Sequence, residues 1–453
     1  MTLPAFKAYD VRGRIPDELN EDLAYRIGQA FAGFVKPRRV VVGRDIRLSS
    51  AQLCTALIRG LSDSGVEVHD IGLTGTEGVY FATADGGFDG GIMVTASHNP
   101  PDYNGMKFVR EQSRPISADT GLKEMAAAIE TGRLPPRAAT PGRIVSHDTN
   151  DRYDAHLLGY VDAAKLAPLK VVVNAGNGGA GMVVDRLEPR LPFRFIKIHH
   201  APDGTFPNGV PNPMLEENRQ STVDAIRAHG ADVGLAWDGD FDRCFFFDEH
   251  GTFIEGYYLV GLLAEVFLKR EPGARIVHDP RLTWNTLDIV QRFGGKAVLS
   301  KSGHAFIKQV MREVDAAYGG EMSAHHYFRE FAYADSGMIP WLLVLQTMSE
   351  RGRTLSELVG ERMRLFPASG EINRKLDPSK GGAKAVLERA QRQYERGAKA
   401  IDFTDGLSIE FDEWRFNLRA SNTEPLVRLN VETRGDEALM RSRTAELLRL
   451  MES

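Results

Sequence analysis

The chain reads as an α/β protein: three similar mixed α/β units in tandem, followed by a smaller α+β domain. Three observations predict this. Short β-rich apolar runs recur with about one helix and its loops between them, as βαβ units require. Successive sets of three runs start roughly 110 residues apart, an ordinary domain size. Beyond residue 384 the pattern changes to strand-like runs in close succession between two helical stretches. Length alone suggests about three domains. The pattern divides the 453 residues into four, at 1–150, 151–252, 253–365 and 366–453.

The first unit carries the runs Val40–Gly43, Val66–Ile71 and Gly90–Val94. The last stops abruptly in Thr95-Ala96-Ser97-His98-Asn99-Pro100. A hydroxyl is thereby placed at the carboxyl end of a buried strand, where open α/β sheets put their chemistry. With Lys107 and Arg110 nearby in sequence, Ser97 is a candidate phosphoryl carrier. Ser-His-Asn before Pro also suits a plain turn. A serine hydrolase fits less well, because no Gly-x-Ser-x-Gly elbow is present. Moreover, His98 and Ser97 are adjacent, and neighbours on an extended chain point to opposite faces, a poor nucleophile–base pair.

The second unit repeats the plan with Lys170–Val173, Phe193–Ile198 and Val233–Trp237, then Asp238-Gly239-Asp240-Phe241-Asp242-Arg243. Three alternating carboxylates can converge on one point, and hard oxygen ligands suit Mg²⁺ or Ca²⁺. Without a metal they would repel and shift one another's pKa values. An exposed charge run is the plainer explanation, but Trp237 and Cys244-Phe245-Phe246-Phe247 bracket the cluster with strand-like apolar residues. An EF-hand fails because Arg243 stands where its sixth position requires glycine, although Glu249 falls at the twelfth. A haloacid-dehalogenase-type phosphatase loop fails at Phe241-Asp242.

The third unit runs through Arg275–His278, Ala297–Ser300 and Ala317–Gly319 and delivers Gly320-Glu321-Met322-Ser323-Ala324-His325-His326. A carboxylate and a hydroxyl two residues apart suit neighbouring sugar hydroxyls, which are costly to bury unpaired. Proline-rich and polar stretches at 132–150 and 366–384 read as linkers. The fourth domain shows a helical run over Ala385–Tyr394, strands over Leu407–Phe411, Trp414–Arg419 and Leu426–Glu432, and a final helix from Glu437. Between the last two strands, Arg419-Ala420-Ser421-Asn422-Thr423-Glu424-Pro425, with Arg428 beyond, has guanidinium, hydroxyl and amide groups suited to cradle phosphate.

Composition narrows the function class. A net charge of −5 without a basic tract argues against nucleic acid as a partner. Two distant cysteines, Cys54 and Cys244, form no metal pattern and suit a reducing compartment. The opening MTLPAFKAYD lacks the features of a signal peptide. The longest apolar stretch, Tyr258–Leu268, falls short of the ~20 residues a membrane span needs. A cytoplasmic, monomeric enzyme without membrane association is expected.

Taken in order, these motifs resemble those of the α-D-phosphohexomutases, closest to the phosphomannomutase/phosphoglucomutase branch. TASHNPPDYNGMK resembles the phosphoserine loop, DGDFDR the metal loop and GEMSAHH the sugar loop. Arg419 to Arg428 resembles the phosphate loop, Lys7-Ala8-Tyr9-Asp10-Val11-Arg12-Gly13 the opening motif, and Lys301-Ser302-Gly303-His304 a further active-site loop. The resemblance spans residues 6 to 433, and its one departure is Ala324, a glycine in many members. It implies a four-domain architecture with a TATA-binding-protein-like last domain and a deep cleft between domains.

The implied reaction interconverts hexose 6- and 1-phosphates, mannose and also glucose, through a glucose or mannose 1,6-bisphosphate. Ser97 carries the phosphoryl group, and Mg²⁺ is held by Asp238, Asp240, Asp242 and a phosphoserine oxygen. Lys107 and His325 transfer protons, Arg12 and Arg243 stabilise the loop, and His98 and His304 complete the catalytic set. Tyr9, Lys301, Glu321, Ser323, Arg419, Ser421, Asn422, Thr423 and Arg428 bind substrate. A phosphatase using the same aspartates, or a sensor that keeps only the phosphate loop, are the alternative classes; the presence of Ser97 and all three aspartates argues against the sensor.

Overall fold

The computed structural model describes residues 3–376, 381–420 and 426–452. Ser421, Asn422 and Thr423 of the expected phosphate loop lie outside the described residues. The chain packs as two compact units, Met1–Phe253 with Tyr327–Gly352, and Ile254–His326 with Arg353–Ser453.

The first unit opens with β1 (Val11–Arg14), α1 (Glu21–Val35), β2 (Arg39–Arg44), α2 (Ser50–Asp63), β3 (Glu67–Leu73), α3 (Thr76–Asp85), β4 (Gly90–Val94), β5 (Tyr103–Arg110), α4 (Lys123–Glu130) and β6 (Ile144–Ser146). The strands form one sheet in the order β1-β5-β4-β2-β3-β6. Helix α1 shows how local sequence sets an element: the Asn20 side chain accepts from the Leu23 N–H, and Glu21 and Asp22 face the positive end of the helix. Its apolar stripe, Leu23, Ala24, Ile27 and Phe31, is buried against Val40, Val42 and Ile92 of the sheet.

Next come α5 (Asn150–Leu158), β7 (Lys170–Asn174), α6 (Ala180–Leu187), β8 (Arg194–Ile198), α7 (Gln220–His229), β9 (Val233–Trp237), β10 (Cys244–Phe247) and β11 (Phe253–Ile254), in the sheet order β11-β10-β9-β7-β8.

The second unit begins with α8 (Gly256–Arg270), β12 (Arg275–His278), α9 (Trp284–Arg292), β13 (Lys296–Leu299), α10 (His304–Val314) and β14 (Tyr318–Gly320). Strand β12 pairs in parallel with both β13 and β14. The chain then re-enters the first unit through β15 (His326–Phe328), which pairs antiparallel with β16 (Ala334–Asp335), and continues into α11 (Ile339–Arg351).

The repeat expected from sequence is thus a repeat of topology. In each set the first strand lies between the other two and parallel to both, as β4-β2-β3, β9-β7-β8 and β14-β12-β13. Such central strands are buried on both faces, which is why Val40–Val42 and Val171–Val173 read as unbroken apolar runs.

The remaining chain forms α12 (Leu355–Leu365), β17 (Ile372–Lys375), α13 (Gly382–Tyr394), β18 (Ala400–Asp402), β19 (Leu407–Glu410), β20 (Trp414–Ala420), β21 (Leu426–Thr433) and α14 (Glu437–Glu452). Its sheet, β17-β21-β20-β19-β18, is antiparallel throughout and packs one face on α13 and α14.

Two stretches expected as linkers contain strands. Residues Ile144–Ser146 add β6 to the edge of the first sheet, and Ile372–Lys375 add β17 to the last. Both are short edge strands held by their pairing partners. Among the described residues no helix is long and apolar enough to cross a membrane.

Candidate active site

In the first unit the chemistry gathers at carboxyl ends of parallel strands. Ser97 follows β4 and Asp238 follows β9, and the two side chains meet: Ser97 Oγ donates to Asp238 Oδ2 over 3.0 Å. Gly239 makes this approach possible, since a Cβ there would lie 2.5 Å from the Ser97 carbonyl oxygen. Ser97 is buried, and its backbone is left-handed, with φ +48°.

That backbone overturns one expectation. Because Ser97 is not extended, the His98 ring folds back onto it, and Ser97 Oγ lies 3.0 Å from His98 Nδ1. Arg243 Nη2 also reaches this nitrogen, at 2.5 Å. A guanidinium has only donors, so Nδ1 is the accepting nitrogen and the imidazole proton sits on Nε2. Burial first, then the Arg243 and Arg12 guanidiniums, push the His98 pKa well below the ordinary imidazole value. His98 is therefore neutral, and the Ser97 proton is left to Asp238.

The three aspartates are all buried, with carboxylate oxygens within 4.8 Å of one another. Arg243 donates from Nε (2.9 Å) and Nη2 (2.7 Å) to Asp238 Oδ2. The Lys107 ammonium, from β5, donates to Asp240 Oδ2 at 2.7 Å and Asp242 Oδ2 at 2.6 Å. Burial raises the Asp238 pKa to about 6, with Arg243 offsetting part of the penalty. Burial acts the same way on Asp240, but Lys107 outweighs it and holds that carboxyl below the usual range. Burial likewise opposes the charge on Lys107, and the two carboxylates overcome it and hold the ammonium protonated.

Asp240 Oδ1 and Asp242 Oδ1 are buried without a hydrogen-bond partner among the described residues. Buried carboxylate oxygens of this kind fit a hard cation, which would supply the partners the protein withholds. The strands β9 and β10 on either side exclude an EF-hand, which needs flanking helices.

Arg12, on β1, donates to Asn99 Oδ1 and Asp10 Oδ2, both at 2.6 Å, and so grips the serine loop. Tyr9 is half-buried just before that strand. Thr76, at the start of α3, donates its hydroxyl to Asp240 Oδ2 at 2.5 Å and its N–H to the Asp240 carbonyl at 3.1 Å. Sequence reasoning missed Thr76, Asn99 and Arg47. The signal for Arg47 was there: Asp45-Ile46-Arg47 leaves β2 at the same sheet end as Ser97 leaves β4.

In the second unit, Glu321 and Ser323 follow β14 and meet at one guanidinium. Arg281, 2% exposed, donates to Glu321 Oε1 at 3.3 Å, Ser323 Oγ at 3.2 Å and Asp279 Oδ2 at 2.6 Å. Glu321 Oε1 also accepts from the Gly303 N–H at 2.8 Å, which ties this loop to the Lys301–His304 turn. Lys301 is exposed and lies over the Phe306 ring, and His304 opens α10. The His325 carbonyl accepts from the Glu321 N–H at 2.9 Å. Ala324 takes φ +69°, a conformation a glycine adopts more readily.

Arg419 and Arg428, paired across β20 and β21, share one anion. Glu371 accepts from Arg419 Nη2 at 3.2 Å, Arg428 Nη1 at 3.3 Å and Arg281 Nη1 at 3.4 Å. Burial opposes the Glu371 charge, but the three guanidiniums hold its carboxyl below the ordinary range. Neither Arg281 nor Glu371 was anticipated, though Asp279-Pro280-Arg281 directly follows β12 and is the same strand-end signal.

A buried serine against an acidic trio, with the guanidiniums of Arg12, Arg47 and Arg243 bonded to the loop that carries it, is an arrangement suited to phosphoryl transfer. The comparisons identify the lineage. Descriptions of the phosphoglucomutase/phosphomannomutase alpha/beta/alpha domains I, II and III match residues 4–134, 151–251 and 255–366, and that of the C-terminal domain matches 371–449. The chain belongs to this phosphoglucomutase/phosphomannomutase family, within the α-D-phosphohexomutases. A protein of Xanthomonas campestris pv. campestris (strain B100) described as "Phosphohexose mutases" is 60% identical over 456 residues, covering 100% of both chains. An Escherichia coli (strain K12) "Phosphomannomutase" is 58% identical over 455 residues, covering 99% of each. A crystal structure of a phosphoglucomutase/phosphomannomutase family protein from Burkholderia thailandensis superimposes with a TM-score of 0.88 at 32% identity, covering 98% of this chain and 96% of that one.

Proposed function

We propose that this enzyme interconverts mannose 6-phosphate and mannose 1-phosphate, and the corresponding glucose phosphates, through a phosphoserine on Ser97. The observation that carries the reading is the contact of Ser97 Oγ with Asp238 in the buried acidic trio. Relatives at about 60% identity over the whole chain bear the names phosphohexose mutase and phosphomannomutase.

Asp238, Asp240, Asp242 and a phosphoserine oxygen would hold Mg²⁺, which when bound neutralises charge on the transferring phosphoryl group. The chain's own residues do the rest. Phosphoserine gives its phosphoryl group to the free oxygen of the bound monophosphate. The P–Oγ bond breaks, a P–O bond to the sugar forms, His325 takes the sugar hydroxyl proton, and Lys107 gives a proton to the departing Ser97 Oγ. The glucose or mannose 1,6-bisphosphate turns by half a revolution and returns its other phosphoryl group to Ser97. Lys107 rests as an ammonium between Asp240 and Asp242, so it enters the cycle as an acid.

Arg12 and Arg243 hold the serine loop, His98 caps Ser97, and His304 supports the sugar loop. Glu321 and Ser323 bind sugar hydroxyls, with Tyr9 and Lys301 flanking. Arg419, Ser421, Asn422, Thr423 and Arg428 take the phosphate that is not being transferred. The enzyme acts as a cytoplasmic monomer on small hexose phosphates, without nucleic acid; the net charge of −5 supports that choice of partner.

A coupled assay with the 1- and 6-phosphates of both sugars tests the reading. Isomerised sugar phosphate supports it. Release of free phosphate without isomerisation would make the protein a phosphatase.

A further inference from the structure

Arg47 lies fifty residues before Ser97 and is buried, with 3% of its surface exposed. Its guanidinium spends four N–H groups on backbone carbonyls of a single loop. Nη1 donates to Pro100 at 2.7 Å and Tyr103 at 2.9 Å. Nη2 donates to Ser97 at 2.9 Å and Asn99 at 2.5 Å. Asp45 stands 3.5 Å from Nε, accepts the Arg47 N–H and the Ser50 hydroxyl, and so orients the guanidinium. Asn104 completes the attachment by donating to Ser49 and Ser50. The whole serine loop hangs on the turn between β2 and α2.

This matters because Ser97 sits at φ +48°, unfavourable for a residue with a Cβ. Strained backbone at a site persists only where its surroundings over-determine it. A loop released from Arg47 can relax toward extended backbone, which swings Oγ away from Asp238 and toward water. The planar fork of a guanidinium is suited to four converging carbonyls; an ammonium, with three donors on one nitrogen, is not.

We propose that Arg47 is a positioning residue that fixes the phosphoserine so that its phosphoryl group goes to a sugar hydroxyl and not to water. The inference rests on Ser97 being the phosphoryl carrier. In the leak that Arg47 suppresses, the P–Oγ bond breaks, a water oxygen bonds to phosphorus, one water proton ends on Ser97 Oγ, and inorganic phosphate leaves.

The test uses full-length enzyme with Mg²⁺, charged from glucose 1,6-bisphosphate carrying labelled phosphate, in wild type, Arg47→Lys, Arg47→Gln and Ser97→Ala. We measure release of labelled inorganic phosphate without sugar monophosphate, kcat and KM for mannose 1-phosphate, and melting temperature. Misplacing a reacting group by about an ångström costs on the order of 100-fold. Arg47→Lys should therefore keep KM and folding, lose about 10- to 100-fold in kcat, and release label about tenfold faster. Arg47→Gln should lose more kcat and recover part of it with added ethylguanidinium, which cannot rescue Ser97→Ala. Wild-type kcat and wild-type label release in Arg47→Lys would overturn the inference, as would equal loss of kcat and melting temperature with no added leak. A wild-type enzyme that takes up no label at Ser97 overturns the phosphoserine reading itself, and the inference with it.

Discussion

Ser97 Oγ and Asp238 Oδ2, 141 positions apart in sequence, stand 3.0 Å apart. A strand-end hydroxyl is thereby joined to a buried acidic cluster, and the serine proton is directed at a carboxylate. Purified protein should carry phosphate on Ser97 in part of the population, detected by intact mass and lost in Ser97→Ala. Turnover should be stimulated by a hexose 1,6-bisphosphate. Full activity in Ser97→Ala would sink the mechanism.

The aspartate trio predicts metal dependence. Chelation should abolish activity and added Mg²⁺ restore it. Asp242→Asn removes one of two orphaned oxygens, and we expect a loss of about 100-fold or more in kcat. Because three buried carboxylates repel one another, melting temperature without metal should hold or rise. An unchanged rate after chelation would refute the site.

Sugar selectivity should be modest. Glu321 and Ser323 are too few to grip every hydroxyl in two orientations of the ring. If they hold the 3- and 4-hydroxyls, the epimeric 2-hydroxyl goes unread. Catalytic efficiencies for glucose and mannose phosphates should then differ by no more than about 1–3 kcal/mol, roughly 5- to 150-fold. Glu321→Ala should weaken both in parallel; a penalty on one sugar alone would show that the second carbon is read.

Glu371 is an anion already seated on Arg281, Arg419 and Arg428. If, as proposed, Arg419 and Arg428 take the substrate phosphate, it would share those cations with Glu371. Glu371→Gln should strengthen inhibition by inorganic phosphate roughly 5-fold, about 1 kcal/mol, measured as the inhibition constant. Weaker phosphate binding in that variant would mean that Glu371 positions the arginines without competing for them.

Stability should fall in mild acid because of His326. This ring is fully buried, 2.6 Å from the Tyr318 hydroxyl, and burial followed by the His325 charge pushes its pKa from 6.5 to about 3. Between those values the unfolded chain binds a proton that the folded chain refuses, so the contribution is complete above pH 6.5 and is lost as pH falls toward 3. The loss should reach about 2 kcal/mol by roughly pH 5. Urea unfolding of wild type and His326→Gln checks this, with a flatter pH dependence expected in the variant.

Much of this protein was legible in its sequence, because the physics concerned is local. Apolar runs such as Val171–Val173 announce strands buried on both faces, and the point where each run breaks into polar residues marks the sheet end that carries Ser97, Asp238 and Glu321. Edge strands were not legible. Ile144–Ser146 and Ile372–Lys375 are strands only because Val68–Asp70 and Leu426–Leu429 offer them unpaired backbone. The relation of Ser97 to His98 was misjudged for the same reason: extended geometry was the local default, and Arg47 holds the loop in the other conformation. The sequence by itself thus determined the strands and the ends at which Ser97, Asp238 and Glu321 stand. Only the tertiary structure decided how they are paired: Arg47 with the serine loop, Lys107 with two aspartates, Glu371 with three arginines. Strand periodicity is encoded residue by residue, whereas these contacts join residues far apart in the chain and form only once packing brings them together, and no short stretch of sequence carries that information.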